Sequence, residues 1–279
     1  MMKYILNILL LVITFASFVF PRGELEKQLN YARTLYDQEN YFDSVTELKR
    51  LLFFDTSKHF TYEANILMGS AYKKGALLND AVSCFSTAER FAGTDEEKYT
   101  ALVELVRVNI LRRTTEQALK IIQGIESAGK YKDKQQELDY WKGWAYIFAN
   151  EFEKASNEFD KIRPDHELKT LSDNTSDQLC SESIAKILSV FIPGAGQIYT
   201  GSYLNGIISL GWNIFAGYLT INSFAEDRVF DGIITANLLW LRFYIGGIQN
   251  AEEFARENNT EVINKTLLYL QNEYKGLKP

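Results

Sequence analysis

Apolar and polar positions recur along this chain at a fixed interval. The segments "YARTLYDQENYFDSVTEL", "MGSAYKKGALLNDAVSCF", "LVRVNILRRTTEQALKII" and "KGWAYIFANEFEKASNEF" align without a slip. Ala32, Gly69, Val106 and Gly143 fall in one column, spaced 37 residues apart. Leu35, Tyr72, Asn109 and Tyr146 form the next. A second small-residue column holds Ser44, Ala81, Ala118 and Ala155, and a large one holds Leu48, Phe85, Ile122 and Phe159. Leu51, Ala88, Ile125 and Ile162 close the pattern. The spacing predicts two helices per repeat, brought close by the small residues and wedged by the large ones.

The order small, tyrosine three later, then Ala, Phe and Ala resembles the tetratricopeptide repeat. The second repeat matches best, with Gly69, Tyr72, Ala81, Phe85 and Ala88. The first and third depart from it, with Leu35 and Asn109 in the tyrosine column. The period is also longer than the usual 34, and the surplus is placed in turns between repeats. The resemblance covers residues 23–165 and implies an all-α solenoid that binds proteins. In such arrays the first helix of each repeat lines the concave groove. The corresponding positions here are Arg33 and Tyr36, Ser70 and Lys73, Arg107 and Ile110, then Trp144 and Ile147, with Tyr140 beside them. Three cations and an aromatic end wall suit an extended peptide with acidic groups or a free carboxylate. Equally, Trp144 and Ile147 could pack as a cap and the cations be ordinary surface.

The pattern then changes. Residues 166–181 are polar, follow Pro164, and are read as a linker or a loose cap on the repeats. From Ile187 to Ala225 there is no Asp, Glu, Lys or Arg, which is a membrane signal. Residues 203–224 are long enough to span, and 229–250 form a second apolar run after "AEDR". The expected architecture is therefore a helical solenoid followed by a transmembrane helical hairpin. Within 182–250 the stretch "FIPGAGQIYTG" carries Pro193, Gly194, Gly196, Gln197, Tyr199 and Gly201. Pro and Gly break a helix there, and an irregular backbone at membrane depth must find partners within the protein. It reads as the corner of a compact helical module, or more simply as the stop of a surface helix. Residues 251–279, with Phe254, Val262, Leu267, Leu270 and Tyr274 among charges, read as an amphipathic tail helix.

These runs, with "LRFYIGGIQNAEEFARENN", resemble a small bacterial membrane module with a P-G-x-G-Q-x-Y-x-G signature, similar in layout to TM2-type two-helix domains. The resemblance covers about residues 182–258 and brings no activity. Its marked positions here include Asn213, Arg242, Tyr244, Gly247 and Asn250 as well. Arg242 should face protein, water or a headgroup. Backbone carbonyls, Asn213 or Gln197 could pair with it, or it could bind lipid.

Composition narrows the function classes. The net charge of −6 argues against a nucleic-acid binder. Lys3 and the apolar residues after it make 1–20 a secretory signal, cleaved after Ala16, or an uncleaved anchor. Cys84 and Cys180 lie far apart and read as two unpaired thiols, although an exported protein could pair them. His59 and His166 lack partners at metal-ligand spacing, and no nucleophile elbow, P-loop or dinucleotide fingerprint is present. No enzyme, cofactor or metal site is expected. The sequence reads as a scaffold on the periplasmic side of a bacterial inner membrane, with protein partners and membrane lipid. The other reading makes the membrane module the working part, binding lipid or assisting assembly of another membrane protein.

Overall fold

The computed structural model describes residues 22–279; the expected signal or anchor at 1–20 lies outside them. Every described element is helical. The chain divides into two compact units, one ending at Pro164 and including Lys278–Pro279, the other Asp165–Leu277.

The first unit contains α1 (Arg22–Asp37), α2 (Tyr41–Phe54), α3 (Thr61–Lys74), α4 (Leu78–Phe91), α5 (Asp95–Leu111), α6 (Thr115–Ser127), α7 (Gln135–Phe148) and α8 (Phe152–Ile162). Each odd helix packs on the even helix after it. The small-residue columns lie at these crossings. Ala32, Ala81, Ala118 and Ala155 are fully buried, and the Ser44 hydroxyl donates to the Ala32 carbonyl at 2.8 Å. Leu48, Phe85, Ile122 and Phe159 fill the space beside them and are fully buried too.

The turn inside each repeat is the same device four times. Glu39, Ala76, Arg113 and Asn150 take positive φ between 58° and 63°. The next amide donates back past the helix end: Asn40 to Leu35, Leu77 to Tyr72, Thr114 to Asn109 and Glu151 to Tyr146. This is the wide bond of a Schellman-type stop, which satisfies carbonyls the helix leaves open. The tyrosine column thus supplies its carbonyls to the turn. Asn109 adds its side chain there, accepting from the Thr114 hydroxyl at 2.8 Å.

The connections between repeats vary. Residues 55–60 are organised by Asp55, which accepts from the Phe60 amide and the Ser57 hydroxyl, each at 2.7 Å. Residues 92–94 are short, and the next helix is the longest of the unit at 17 residues. Thr94 and Glu97 cap it reciprocally, satisfying two open amides. Residues 128–134 include a 3-10 turn, Lys132–Lys134.

The second unit contains α9 (Glu167–Gln178), α10 (Glu182–Phe191), α11 (Ala195–Tyr199), α12 (Tyr203–Ala225), α13 (Val229–Thr235), a π turn (Ala236–Trp240) and α14 (Leu241–Asn272). Residues 166–181 are therefore mostly helix rather than linker. His166 caps α9 by accepting from the Leu168 amide. Leu168, Ser172 and Thr175 form its buried stripe, and Thr175 bonds Thr266 of α14 at 2.9 Å. The helix hid from hydrophobic patterning because two of its three buried positions are hydroxyls.

The tail also differs from expectation. No break separates 229–250 from a tail helix; α14 runs for 32 residues through that boundary. The Glu252–Arg256 and Glu261–Lys265 pairs lie one turn apart along it, a spacing that supports a continuous helix. It stops at Asn272, so the last residues are not helical. Among described helices, Tyr203–Ala225 is long and apolar enough to cross a membrane by length and composition.

Candidate functional site

The sequence-predicted groove positions lie on α1, α3, α5 and α7, and the structure treats them unequally. The three cations are already engaged. Arg33 pairs with Glu63 of the next repeat at 2.7 Å, both half exposed. Lys73 pairs with Glu104 at 2.6 Å, and Arg107 bonds the other oxygen of the same carboxylate. The Arg107 guanidinium also lies 5.0 Å from the centre of the Trp141 ring, a favourable cation–aromatic placement. Burial pulls the Lys73 ammonium below its ordinary pKa, and the Glu104 charge only partly offsets this. Two cations share one carboxylate, which leaves a net positive spot. Arg107 there donates to the carbonyl of Lys278 at 2.9 Å.

The apolar half of the expected groove is corrected. Ile110, Trp144 and Ile147 are buried and offer no open wall. Tyr140 is half buried, its ring edge-on to Trp141 and Phe159. Tyr36 is half buried against Tyr41, and burial, followed by that ring, pushes its hydroxyl pKa upward. The Ser70 hydroxyl is used within its own helix, donating to the Ile66 carbonyl. What is left is a row of paired charges across neighbouring repeats, half exposed at Arg33–Glu63 and mostly buried at Lys73–Glu104, bordered by Tyr36. Trp141 and Glu104, which bind Arg107, were not among the predicted positions. Each stands three residues from one that was, on a neighbouring helical face.

In the second unit the P-G-x-G-Q stretch is brought together with α10, α12 and α14. Half-buried Pro193 precedes Gly194, which starts α11 at φ 93°. A Cβ on Gly194 would also strike the carbonyl of Gly206, so the position suits only glycine. Gly196 is pressed against Ala185 and Ser189. Gln197, 1% exposed, is the hub: its amide donates to the Gly247 carbonyl at 2.7 Å and accepts from the Ser189 hydroxyl at 3.2 Å. That same hydroxyl accepts from the Gly196 amide. Tyr199 accepts from the Ser181 amide through its hydroxyl, and Tyr244 donates to the Val190 carbonyl at 2.7 Å. Gly201 has φ 82° in open space.

Asn213 donates to Ser209 of its own helix, while its buried side-chain oxygen has no partner. Arg242 is not paired with Asn213 or Gln197, whose donors are turned to carbonyls; among described residues no hydrogen bond or ion pair is recorded for it. It lines a cavity of about 360 Å³ together with Gln197, Gly247 and Asn250. Cys84 and Cys180 are both free, and burial pushes the Cys84 thiol to about 11. Among described residues no group of His, Cys, Asp and Glu is placed to hold a metal ion.

No family model matches the chain, and no curated protein matches it. Among solved structures, a tetratricopeptide repeat protein from Parabacteroides merdae is similar at 17% identity. The match covers 90% of this chain and all of that one, with a TM-score of 0.46. The repeat reading stands on the helix pairs and turns described above.

Proposed function

We propose that this chain is a non-enzymatic scaffold that holds a partner protein on its helical repeats and sits in a membrane through its second unit. The observation that supports the seating is the outer face of α12. Leu204, Ile207, Ile214, Tyr218 and Ile221 are each 63–70% exposed, and no charge occurs between Ile187 and Ala225. An apolar surface of that kind marks an interaction or membrane site. In the proposed arrangement α12 makes the first crossing and residues 229–250 the return. Lys3 ahead of the N-terminal apolar run favours an inside N-terminus, which sends the repeats to the periplasmic side of a bacterial inner membrane.

The scaffold role follows from the all-α repeat array, whose stacked helices present an extended surface. The partner surface is the row Arg33–Glu63 and Lys73–Glu104–Arg107, which suits a chain carrying acidic groups. Alkaline carbonate washing tests the seating: the full chain should stay with the membrane pellet, and release into the supernatant would overturn it. Reporters fused after Lys169 and after Pro279 should both report the periplasm; a cytoplasmic signal from the second would rule out the return crossing.

A further inference from the structure

The cavity between α12 and α14 has a chemistry unlike its surroundings. Between Asp231 and Glu252 the sole charged residue is Arg242, and Arg242 lines this cavity without a carboxylate anywhere in the wall. A cation in apolar surroundings is unfavourable unless an anion or water meets it. Around it stand Asn205 and Asn250, two side-chain amides that can donate, and Ser209, whose hydroxyl oxygen is buried and has no hydrogen-bond partner. Together with Arg242 these residues line a space of about 360 Å³, enough for a group with several acceptor oxygens. The lining also has an apolar part: Trp212 and Phe243 stack with centroids 5.0 Å apart and planes 13° from parallel. A second hollow of about 460 Å³ shares Trp212 and continues along α12 over apolar side chains.

We propose that this cavity binds a phosphate group, with Arg242 as its counter-charge and Asn205, Asn250 and Ser209 as hydrogen-bond donors. Phosphate fits better than a carboxylate because its oxygens can meet all four donors from different directions. The continuing apolar hollow matches the acyl chain of a phospholipid, and this choice of source rests on the membrane seating proposed above. Free phosphate has the same headgroup chemistry and lacks the chain.

The test uses the full chain purified in mild detergent, with native mass spectrometry reading retention of phosphatidylglycerol, of diacylglycerol lacking phosphate, and of inorganic phosphate. Phosphatidylglycerol should be retained over diacylglycerol, and Arg242→Gln should lower that retention about tenfold, the scale of one charge-assisted bond. Arg242→Lys should restore part of it. Arg228→Gln, at a cation already paired with Glu226 and Asp231, should change nothing. Retention of inorganic phosphate that is lost in Arg242→Gln would keep the site and assign it to the free ion. Equal retention by Arg242→Gln and the parent, or equal retention of lipids with and without phosphate, overturns the proposal. Carbonate washing of the same variants separates the two readings. A chain that stays in the membrane yet shows no Arg242 dependence sinks the phosphate site alone, whereas release of every variant sinks the seating.

Discussion

A Cβ placed on Gly69 would lie 2.7 Å from the ring of Phe85, closer than real Cβ atoms approach anything. The same pair recurs as Gly143 and Phe159. In the other two repeats the small partner grows and the large one shrinks, to Ala32 with Leu48 and Val106 with Ile122. Where the small position is glycine the large one is phenylalanine, and where it carries a side chain the large one is aliphatic. Gly69→Ala should destabilise the chain by about 1–3 kcal/mol through overpacking. Phe85→Leu in the same chain should recover part of that loss by copying the first repeat. Chemical denaturation of the four members of the cycle measures the coupling, and additive effects would show that the pair is not linked.

The turn column offers a stabilising change. Ala76 holds φ at 58°, a conformation that disfavours a side chain by about 1–2 kcal/mol. Glycine relieves this but adds about 0.5–1 kcal/mol of unfolded-chain entropy. Ala76→Gly should thus raise stability by about 0.5–1 kcal/mol, and Ala76→Val should lower it. A shift of the urea midpoint in the opposite order would contradict the left-handed turn.

What was legible in the sequence divides along physical lines. Size columns are written in residue identity, so the helix pairs could be read. The turn column holds Glu39, Ala76, Arg113 and Asn150, which share no chemistry, because the backbone bonds rather than the side chains set the conformation. Helix α9 was missed since Ser172 and Thr175 are buried without being apolar. Gln197 could be singled out by its motif, but its partners Ser189 and Gly247 follow only from the three-dimensional packing. The carboxylates of Arg33 and Lys73 were not legible beside them, because Glu63 and Glu104 each sit one repeat further on.

Asp55 gives the repeat unit an acid-sensitive joint. Burial pushes its carboxyl upward, but the Phe60 amide and the Ser57 hydroxyl outweigh this and bring it below its ordinary value of about 3.9. A group depressed in the folded state stabilises above its unfolded pKa and loses that contribution as pH falls through the folded one. Asp55→Asn should therefore melt lower at neutral pH, by about 1–2 kcal/mol. The difference should close as pH falls below about 4. A gap that persists unchanged into acid would place the effect elsewhere than the charge.

The paired cations separate binding from stability. Lys73 and Glu104 side chains are 11% and 15% exposed, whereas Arg33 and Glu63 are about half exposed at 50% and 49%. Lys73→Glu sets a second carboxylate against Glu104 and should cost about 1–3 kcal/mol, between the exposed and buried limits. Arg33→Glu should change the melting temperature little, as an exposed pair contributes about 0–1 kcal/mol. If acidic chains dock on this row, Arg33→Glu should still weaken their capture, most at low salt. Capture indifferent to Arg33 and to salt would take this row out of the partner surface.

Gln197 is the most exacting position of the second unit, because it donates to Gly247 and accepts from Ser189 with 1% of its surface exposed. Gln197→Leu removes both bonds and should destabilise by about 1–3 kcal/mol. Gln197→Glu keeps the shape and the acceptor but turns a carboxylate toward the Gly247 carbonyl. Buried and facing an acceptor, that carboxylate should bind a proton more readily than usual, and once protonated it can donate to Gly247 again. The Glu variant should thus be worse than the Leu variant near pH 8 and recover as pH is lowered toward about 5, while the Leu variant stays flat. Thermal denaturation of the full chain in mild detergent, followed by tryptophan fluorescence, reads both. A Glu variant as stable as the parent at the higher pH would mean that the 197 side chain is solvated, and that the corner is not held through this bond.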